Sequence, residues 1–573
     1  MLIALLAQSL IVIPPPAEMT PAAEPFPPIA QVADPPSTQP LPQPEFTPLP
    51  PPAELLTPPS TEPATEPALP PTPDVPAEIL VERFVFEGNT VIGDDVLETV
   101  LAPYTGRPLS FIELLQARSA VTQRYVDAGY VTSGAVILPQ TLTEGVVTIQ
   151  VIEGQLETIN VEVSGRLNAN YARQRLRRAA TPVLNTGELL NALQLLQLDP
   201  LIDTVSAELS AGVQPGSSVL NVAVVEANTF DVALQIDNGR SPSVGSFQRG
   251  AALSYGNLLG FGDQISVGYT NTEGSNTVDA SYRVPLNAAD GTLAATVGFT
   301  DSEVIEDPFN FLDIQSQSRF YELTYRQPVI RTPTQTFALS FTASRRESES
   351  EFLEDILGES LPFQTLGADE NGRTQISALR FAQEWTQQGA SQVLAARSQF
   401  SLGLGSFDAT VSDEGPDSRF FAWRGQAQWV RLLDEDLLLL VRGDMQLATD
   451  SLVPLEQFGL GGPRTVRGYR QNTLLADSGI LLSSEVRFPV LRVPEIDGLL
   501  QVVPFIDIGY GWNASTPRVE RSTLASLGVG ALWQMGDRFN TRLDIGIPLV
   551  NTADEGNSLQ ESGIHFSLEY RLF

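Results

Sequence analysis

Apolar and polar residues alternate with a period of two from about residue 229 to the C-terminus. In the run FFAWRGQAQWV, Trp423 and Trp429 occupy one phase, whereas Arg424 and Gln428 occupy the other. About 16 runs of this kind follow one another, among them DLLLLVRGDMQL, GILLSSEVRFPV, VVPFIDIGYGW, TRLDIGI and GIHFSLEYRL. Because successive side chains of a strand point to opposite faces, each run predicts a β-strand with one apolar and one polar face.

The connections between these strands differ in length. LGFG at 259–262 and QGA at 388–390 are tight turns, whereas 302–314, 347–372 and 406–417 are long and acidic. Short turns on one side and long loops on the other are typical of outer-membrane barrels. A soluble sandwich would need a second sheet, and a propeller would show a repeat of about 40 residues, which is not seen. The acidic loops are expected to be solvated surface, with bridging of cations or lipopolysaccharide as the alternative.

Residues 229–573 are therefore predicted to form a 16-stranded antiparallel transmembrane β-barrel. In lipid, every backbone N–H and C=O group must be paired within the protein, so the sheet has to close. A barrel of this size leaves a water-filled lumen, and the charged phase of the strands is expected to face it. After the N-terminus there is no apolar run of about 18 residues, so no membrane-spanning helix is predicted.

Ahead of the barrel, one supersecondary pattern occurs twice. Residues 78–154 predict a strand, two helices and two strands, in the runs ILVERFVFEG, DDVLETVLAPY, SFIELLQARSAVTQRYVDAGY, GAVILPQ and GVVTIQVIEG. Ser110 precedes the second helix and Glu113 follows three residues later, which is the spacing of a capping box. Residues 155–228 repeat the β-α-α-β-β order. The sequence thus predicts a mainly β chain in which two small α/β domains precede the barrel.

The first 77 residues have a different composition. Residues 1–13 are apolar like the core of a secretion signal and predict a signal peptide, with an apolar leader of no consequence as the alternative. They lack a basic start, which truncation of the signal at its beginning would explain. Residues 14–77 hold more than half of the 44 prolines and show no apolar periodicity. This segment is predicted to be a disordered, proline-rich linker.

Composition excludes several functions. The net charge is −34 and arginine is the only basic residue type apart from one histidine, which argues against nucleic-acid binding. Without cysteine and with His565 as the single histidine, thiolate and multi-histidine metal sites and histidine-based triads are not expected. No catalytic residue and no cofactor is predicted, so the protein is not expected to be an enzyme. His565 falls in the polar phase of the last run and is expected to be a residue of the barrel wall.

A glycine-rich loop that carries arginine interrupts the alternation at GGPRTVRGYR, residues 461–470. Its glycines permit positive φ angles, so the loop is expected to fold back into the lumen. The phase of VVPFIDIGYGW places Phe505, Asp507 and Gly509 on the lumen side. Arg467 and Asp507 are therefore expected to form a charge-assisted pair. An ordinary ion pair of the barrel wall is the alternative.

Taken together, these motifs resemble two-partner secretion transporters of the haemolysin secretion/activation type. VRGY matches the family's signature on an inward-folded extracellular loop, and FIDIG matches the inner-wall motif that receives this loop. YVDAGYVTSGAVILPQ and VVTIQVIEG resemble the first periplasmic POTRA domain of the family, LLQLDPLIDTVSAELSAGVQPGSSVLNVAV the second, and NLLGFGDQISVGYT the start of the barrel. The resemblance implies a pore-loop motif and a wall motif, formed respectively by Val466, Arg467, Gly468 and Tyr469, and by Phe505, Asp507 and Gly509.

The resemblance also implies a function and a location. Such transporters lie in the bacterial outer membrane with their POTRA domains in the periplasm. They capture one unfolded, β-rich partner protein and secrete it through the barrel, and the arginine-bearing loop is expected to gate or support the pore. Outer-membrane lipids, lipopolysaccharide and the barrel-assembly machinery are the other expected partners. The alternative is an assembly or insertion factor of the same superfamily; a passive porin would not need the two N-terminal domains.

Overall fold

The described residues of the computed structural model fall into two compact units, one before and one after Thr229. The structure describes residues 55–57, 78–180, 182–412, 415–434, 437–514, 522–552 and 556–572. The predicted signal peptide, and all of the proline-rich linker except residues 55–57, lie outside these residues. In the described part of the chain, no helix is long and apolar enough to cross a membrane.

The first described element is β1, a strand of two residues that belongs to the sheet of the second α/β domain. This strand, β1, comprises Leu56–Thr57. The first domain follows it in the chain. The elements of the first domain are β2 (Ile79–Val81), β3 (Arg83–Glu87), α1 (Asp94–Leu101), β4 (Arg107–Leu109), α2 (Phe111–Asp127), β5 (Gly134–Val136) and β6 (Val146–Ile152). The sheet order is β3-β6-β5, with β3 parallel to β6. The short strand β4 lies between the two helices and pairs with β2, which the sequence did not predict.

Helix α2 begins where the capping box was predicted. The Glu113 N–H donates to Ser110 Oγ at 3.3 Å, and the Ser110 N–H donates to the Glu113 carboxylate at 2.8 Å. The helix packs Leu114, Val121 and Tyr125 into the domain core. This reciprocal cap satisfies two backbone N–H groups that would otherwise lack partners at the start of the helix.

A carboxylate at the end of β6 ties the loop before α1 to the sheet. Glu153 accepts hydrogen bonds from the N–H groups of Thr90 and Val91, at 2.6 and 3.0 Å, and from the Tyr125 hydroxyl at 2.9 Å. Burial raises the pKa of Glu153, but the hydrogen bonds from Thr90, Val91 and Tyr125 outweigh it, so the pKa lies below its ordinary value of 4.5. Its stabilising effect is therefore full above pH 4.5 and is lost as the pH falls through the lowered value.

Glu153→Gln is expected to lower the stability of the first domain at pH 7. The loss of stability is expected to be smaller in acid. Charge-assisted hydrogen bonds contribute roughly 1.5–3 kcal/mol each, and the neutral amide retains only part of this. We expect amide protection in residues 83–101 to fall about tenfold at pH 7, with the difference between variant and wild type narrowing below pH 4.5. Hydrogen exchange of the full-length protein measures this protection, after correction for the intrinsic exchange rate at each pH. An equal deficit at both pH values would contradict the assigned role.

The second domain has the predicted β-α-α-β-β order. Its elements are β7 (Gln155–Ser164), α3 (Ala169–Ala179), α4 (Thr186–Gln197), β8 (Ile202–Ala211) and β9 (Ser217–Glu226). Leu176 of α3 and Leu193 of α4 are fully buried against the sheet. The sheet order is β1-β8-β9-β7, so a segment within the predicted linker adds a strand to this domain. Its composition did not indicate this strand.

After Thr229 the described residues form one closed sheet and a separate two-stranded ribbon. The strands are, in chain order, β10 (Phe230–Asp237), β11 (Gln248–Gly256), β12 (Gln264–Asn271), β13 (Ser275–Pro285), β14 (Thr292–Glu303), β15 (Gln315–Thr332), β16 (Gln335–Phe352), β17 (Leu361–Pro362), β18 (Arg373–Gln388), β19 (Gln392–Leu404), β20 (Phe421–Asp434), β21 (Leu437–Ala448), β22 (Phe458–Leu460), β23 (Leu474–Ala476), β24 (Ser478–Val493), β25 (Gly498–Trp512), β26 (Thr523–Met535), β27 (Phe539–Pro548) and β28 (Ile564–Arg571). A short helix, α5 (Glu354–Leu357), lies between β16 and β17.

Sixteen of these strands build the barrel wall in the described part of the chain, as predicted. Each pairs antiparallel with its neighbours, and β28 pairs with β10 to close the sheet. β17 only extends the end of β16, and β22 and β23 form a separate two-stranded ribbon. The longest connection joins β21 to β24 and contains this ribbon.

The two faces of the wall differ as the alternation predicted. On β25, Ile506 and Ile508 are 48% and 46% exposed, whereas Asp507 between them is completely buried. The exposed phase is apolar because it faces lipid. The inner phase carries the charges, since a charged side chain on the lipid-facing side would cost about 2–4 kcal/mol near the bilayer midplane.

Candidate pore-loop site

The connection between β21 and β24 folds into the barrel. Its residues Phe458, Leu460, Val466, Tyr469 and Leu474 are buried, and they pack together with Leu481 and Leu524 of the wall. The loop thus has an apolar core of its own, although it lies among polar lumen side chains. The inward fold expected from the glycines is the arrangement that the structure has.

Arg467 lies at the centre of this contact and is 1% exposed. Its Nε and Nη2 atoms each lie 2.8 Å from the carboxylate oxygens of Asp507, and its own backbone N–H donates to the same carboxylate at 3.1 Å. The guanidinium carbon lies 3.6 Å from the centroid of the Phe505 ring. This bidentate geometry with a stacked ring fits arginine specifically, because a lysine ammonium offers no planar fork.

A second carboxylate, which sequence reasoning did not assign to the site, completes the cluster. Glu485 of β24 accepts from Arg467 Nη1 at 2.8 Å, and also from Arg487 and Arg542 at 2.9 and 2.8 Å. Arg542 is bound in turn by Asp544 at 2.7 Å. The loop arginine therefore links strands β24, β25 and β27 through buried charges. Removing Arg467 would leave the buried Asp507 carboxylate without this cation, and breaking a buried pair in this way costs about 3–5 kcal/mol.

A signal for Glu485 was present in the sequence. Glu485 falls in the lumen phase of its run, and in the sheet it stands opposite Phe505, while Ser483 stands opposite Asp507. Strand pairing thus places Glu485 two positions from the register of Asp507 on the neighbouring strand. The register between two strands depends on the tertiary structure. Alternation along one strand therefore did not identify which lumen-facing carboxylate contacts the loop.

Gly468 permits a close approach between the loop and the last two strands. Its φ is +93°, and a Cβ atom there would lie 2.9 Å from the backbone carbon of Gly546. Reciprocally, a Cβ on Gly546 would lie 2.6 Å from the Gly468 nitrogen. The Gly468 N–H donates to Nε2 of His565 at 3.1 Å. His565 lies on the inner wall, as its phase predicted, and it also binds the loop.

Tyr469 and Gly509 complete the set of motif residues. The Tyr469 hydroxyl lies 2.8 Å from the Ala525 carbonyl oxygen and accepts from the Val550 N–H at 3.1 Å. A Cβ atom on Gly509 would lie 2.8 Å from Cδ2 of Leu460. The glycine in FIDIG therefore leaves room for the apolar core of the loop, while Asp507 binds its arginine.

The loop is also held by an acidic segment predicted to be solvated surface. Arg470 binds Glu306, in the connection between β14 and β15, at 2.8 Å, and Glu561, in the connection before β28, at 3.3 Å. The side chain of Glu306 is only 24% exposed. At this position the acidic loop is an ionic partner of the pore loop. Opposite charges thus join the pore loop to the two connections that carry Glu306 and Glu561.

Comparison with known proteins identifies related chains. Residues 216–532 match the family of haemolysin secretion/activation proteins ShlB/FhaC/HecB, and residues 79–154 match the ShlB-type POTRA domain. The outer membrane transporter CdiB of Dickeya dadantii is 23% identical over 462 residues, which cover 78% of each chain. The heme/hemopexin transporter protein HuxB of Haemophilus influenzae is 21% identical, over 82% of this chain and 84% of its own.

The fold likeness extends over nearly the whole chain. The solved structure of CdiB from Escherichia coli superposes with a TM-score of 0.67 at 20% identity, and the match covers 89% of this chain and 93% of that one. At this level of identity the likeness establishes the fold and not the roles of individual residues.

Proposed function

The chain belongs to the family of haemolysin secretion/activation proteins of the ShlB/FhaC/HecB type, and from that premise we propose that it captures one unfolded partner protein and passes it through its barrel. It is an outer-membrane transporter of two-partner secretion and not an enzyme, with its POTRA domains in the periplasm. The proposed steps are capture by those domains, which correspond to residues 78–154 and 155–228, and gating by the loop that carries Val466, Arg467, Gly468 and Tyr469.

Exposed apolar surface on the first domain supports capture of an unfolded chain. On helix α2, Phe111 and Ile112 are 55% and 68% exposed, and Leu115 beside them is 37% exposed. A soluble domain gains nothing from exposing neighbouring large apolar side chains, and such patches mark interaction sites. An extended partner segment with apolar residues would bury this surface without strict dependence on sequence.

One observation carries the gating proposal. Arg467, on a loop, is held by Asp507 of β25 and Glu485 of β24, and both contacts are buried inside the barrel. A chain that passes through the lumen has to share this space with the loop. The loop therefore either shifts or braces the wall during transport, and the wall motif of Phe505, Asp507 and Gly509 defines its docked position.

Partner specificity tests the proposal against the alternative of an assembly factor. Deletion of the gene is expected to remove one extracellular protein, encoded nearby, while the outer-membrane protein profile stays unchanged. Re-expression of the wild-type chain is expected to restore that protein. Quantitative proteomics of the medium and of the outer membrane measures both. A broad loss of outer-membrane proteins would contradict secretion and support assembly, in which the inserted barrels are the partners.

Two further partners are expected from the architecture. The exposed apolar phase of the strands would contact outer-membrane lipids and lipopolysaccharide. The barrel-assembly machinery would insert the closed sheet, because an unpaired strand edge is not stable in lipid.

A further inference from the structure

The connection between β21 and β24 contacts the barrel wall in two separate regions. Its first part, residues 452–457, packs Val453 and Leu455 against Ile376 of β18. This cluster shares no residue with the cluster around Val466 in the second part of the loop. In the sheet order, four strands lie between β18 and β25, the strand whose aspartate binds the second part. The pore loop is therefore attached to the wall twice.

A buried ion pair holds the first part to β18. Arg380 of β18 donates from Nη2 to Oε1 of Glu456 at 2.6 Å, and from Nη1 to the Ser344 hydroxyl of β16. The side chains of Arg380 and Glu456 are 8% and 6% exposed. A charge that is shielded from water needs an opposite charge or hydrogen bonds close by. Arg380 and Glu456 therefore fix each other's position, and with it the position of this part of the loop.

Hydrogen bonds at the ends of the loop hold the same part. The Asp477 carboxylate accepts from the Leu452 N–H at 3.0 Å and from Gln457 Nε2 at 3.1 Å. Gln446 of β21 donates from Nε2 to the carbonyl oxygens of Glu456 and Asp477, at 2.9 and 3.1 Å. The first part is thus joined to both strands that flank the loop, by contacts that do not involve its second part.

The two parts differ in how far their surroundings allow movement. The connection between β17 and β18 packs closely on the first part, since a Cβ atom on Gly367 would lie 2.6 Å from Cγ1 of Val453. The second part, residues 461–473, begins with Gly461 and Gly462, whose φ angles are +106° and +97°. Glycine tolerates large backbone changes, and residues that absorb such changes form the hinges of moving loops. A hinge therefore fits between the two parts.

We propose that Arg380 is a positioning residue of the pore loop: it fixes residues 452–457 to the wall, so that only residues 461–473 undock when the partner passes. The proposal rests on the proposed gating and specifies which part of the loop moves. A tethered second part stays near Asp507 and redocks in an intramolecular step. Without the anchor the whole connection would be free, and closing a longer loop costs more conformational entropy.

Cysteine labelling follows the two parts separately, because the chain has no native cysteine. Val453→Cys reports on the first part and Val466→Cys on the second, and both valines are buried. The probe is a membrane-impermeant maleimide added to intact cells. In the otherwise wild-type protein, both cysteines are expected to react slowly. With Arg467→Ala added, V466C is expected to react at least fivefold faster, whereas V453C is expected to stay slow.

Arg380→Ala is expected to speed the labelling of V453C at least fivefold and to lower secretion at least threefold. Glu456→Gln is expected to have the same effects and leaves the sequence of the wall intact. Arg346→Ala is the matched control: Arg346 pairs with Glu322 at 2.9 Å with the same exposed fractions, 8% and 6%, but both residues belong to wall strands. In the control, V453C is expected to stay slow. Heat-modifiable migration in electrophoresis confirms that every variant has a folded barrel.

Co-expression of the secreted partner extends the test to transport. It is expected to raise the labelling of V466C at least threefold and to leave that of V453C unchanged. Equal acceleration of both cysteines, by the partner or by Arg467→Ala, would overturn the proposal. Slow labelling of V453C in the Arg380→Ala and Glu456→Gln variants would overturn it too. If the wild type secretes no partner, the gating proposal fails instead, and labelling of the resting protein decides the anchoring by Arg380 independently.

Discussion

Arg467→Ala is expected to leave a folded barrel but to lower secretion of the partner at least tenfold and to alter pore conductance. The substitution removes the bidentate contact to Asp507, the contact to Glu485 and the ring stacking on Phe505. Loss of one member of a buried ionic cluster costs about 3–5 kcal/mol, which is enough to undock a loop. This cost is small compared with the free energy that holds together a closed sheet of sixteen strands.

Secretion assays, planar-bilayer conductance and heat-modifiable migration together measure this effect. Arg326→Ala is the matched control: Arg326 forms an ion pair with Glu384 at 2.8 Å on the barrel wall, and both side chains are partly exposed. A solvated pair of this kind contributes about 0–1 kcal/mol, so near-normal secretion is expected. If the two variants behaved alike, Arg467 would be an ordinary wall ion pair. If Arg467→Ala lost the folded barrel, its role would be structural rather than gating.

Gly546→Ala is expected to produce a comparable secretion defect without touching any charge. A Cβ atom at this position would lie 2.6 Å from the backbone nitrogen of Gly468, and neither backbone can give way as a flexible side chain would. The docked loop and the alanine are therefore incompatible, whereas alanine is tolerated in a strand such as β27. We expect the loop to leave its site and residues 461–473 to become at least fivefold more sensitive to added protease.

Gly443→Ala on β21 is the matched control, because a Cβ atom there meets no heavy atom closer than 4.0 Å. It is expected to behave as wild type in secretion and protease assays. The double variant Gly546→Ala/Arg467→Ala is expected to secrete no less than either of its two single variants. Both substitutions act by undocking the same loop, so their effects on secretion are not additive. A full-strength, independent effect of Gly546→Ala in the double variant would contradict this common cause.

The periodicity of the sequence was sufficient to predict the barrel. The alternation of apolar and polar residues recurs at every strand, and the need to pair backbone groups in lipid then requires the sheet to close. The alternation around Asp507 predicted its inward face, and the glycines around Arg467 predicted a loop able to turn back. The resemblance of VRGY and FIDIG to family motifs then related the two segments. The capping box at Ser110 was likewise readable, since it depends on residues three apart.

Other features depended on residues brought together across the sheet. Glu485, Gly546 and His565 lie far apart in the sequence, and no local pattern distinguishes them from the other inward-facing residues of the wall. Only strand register and closure of the sheet place them against the loop. The sequence by itself thus determined which residues face inward, because side-chain direction follows a local period of two. The tertiary structure decided which of these residues contact Arg467. It also decided that Leu55, within the proline-rich segment, is buried in the core of the second domain. Both depend on long-range pairing, which is set by packing and not by local pattern.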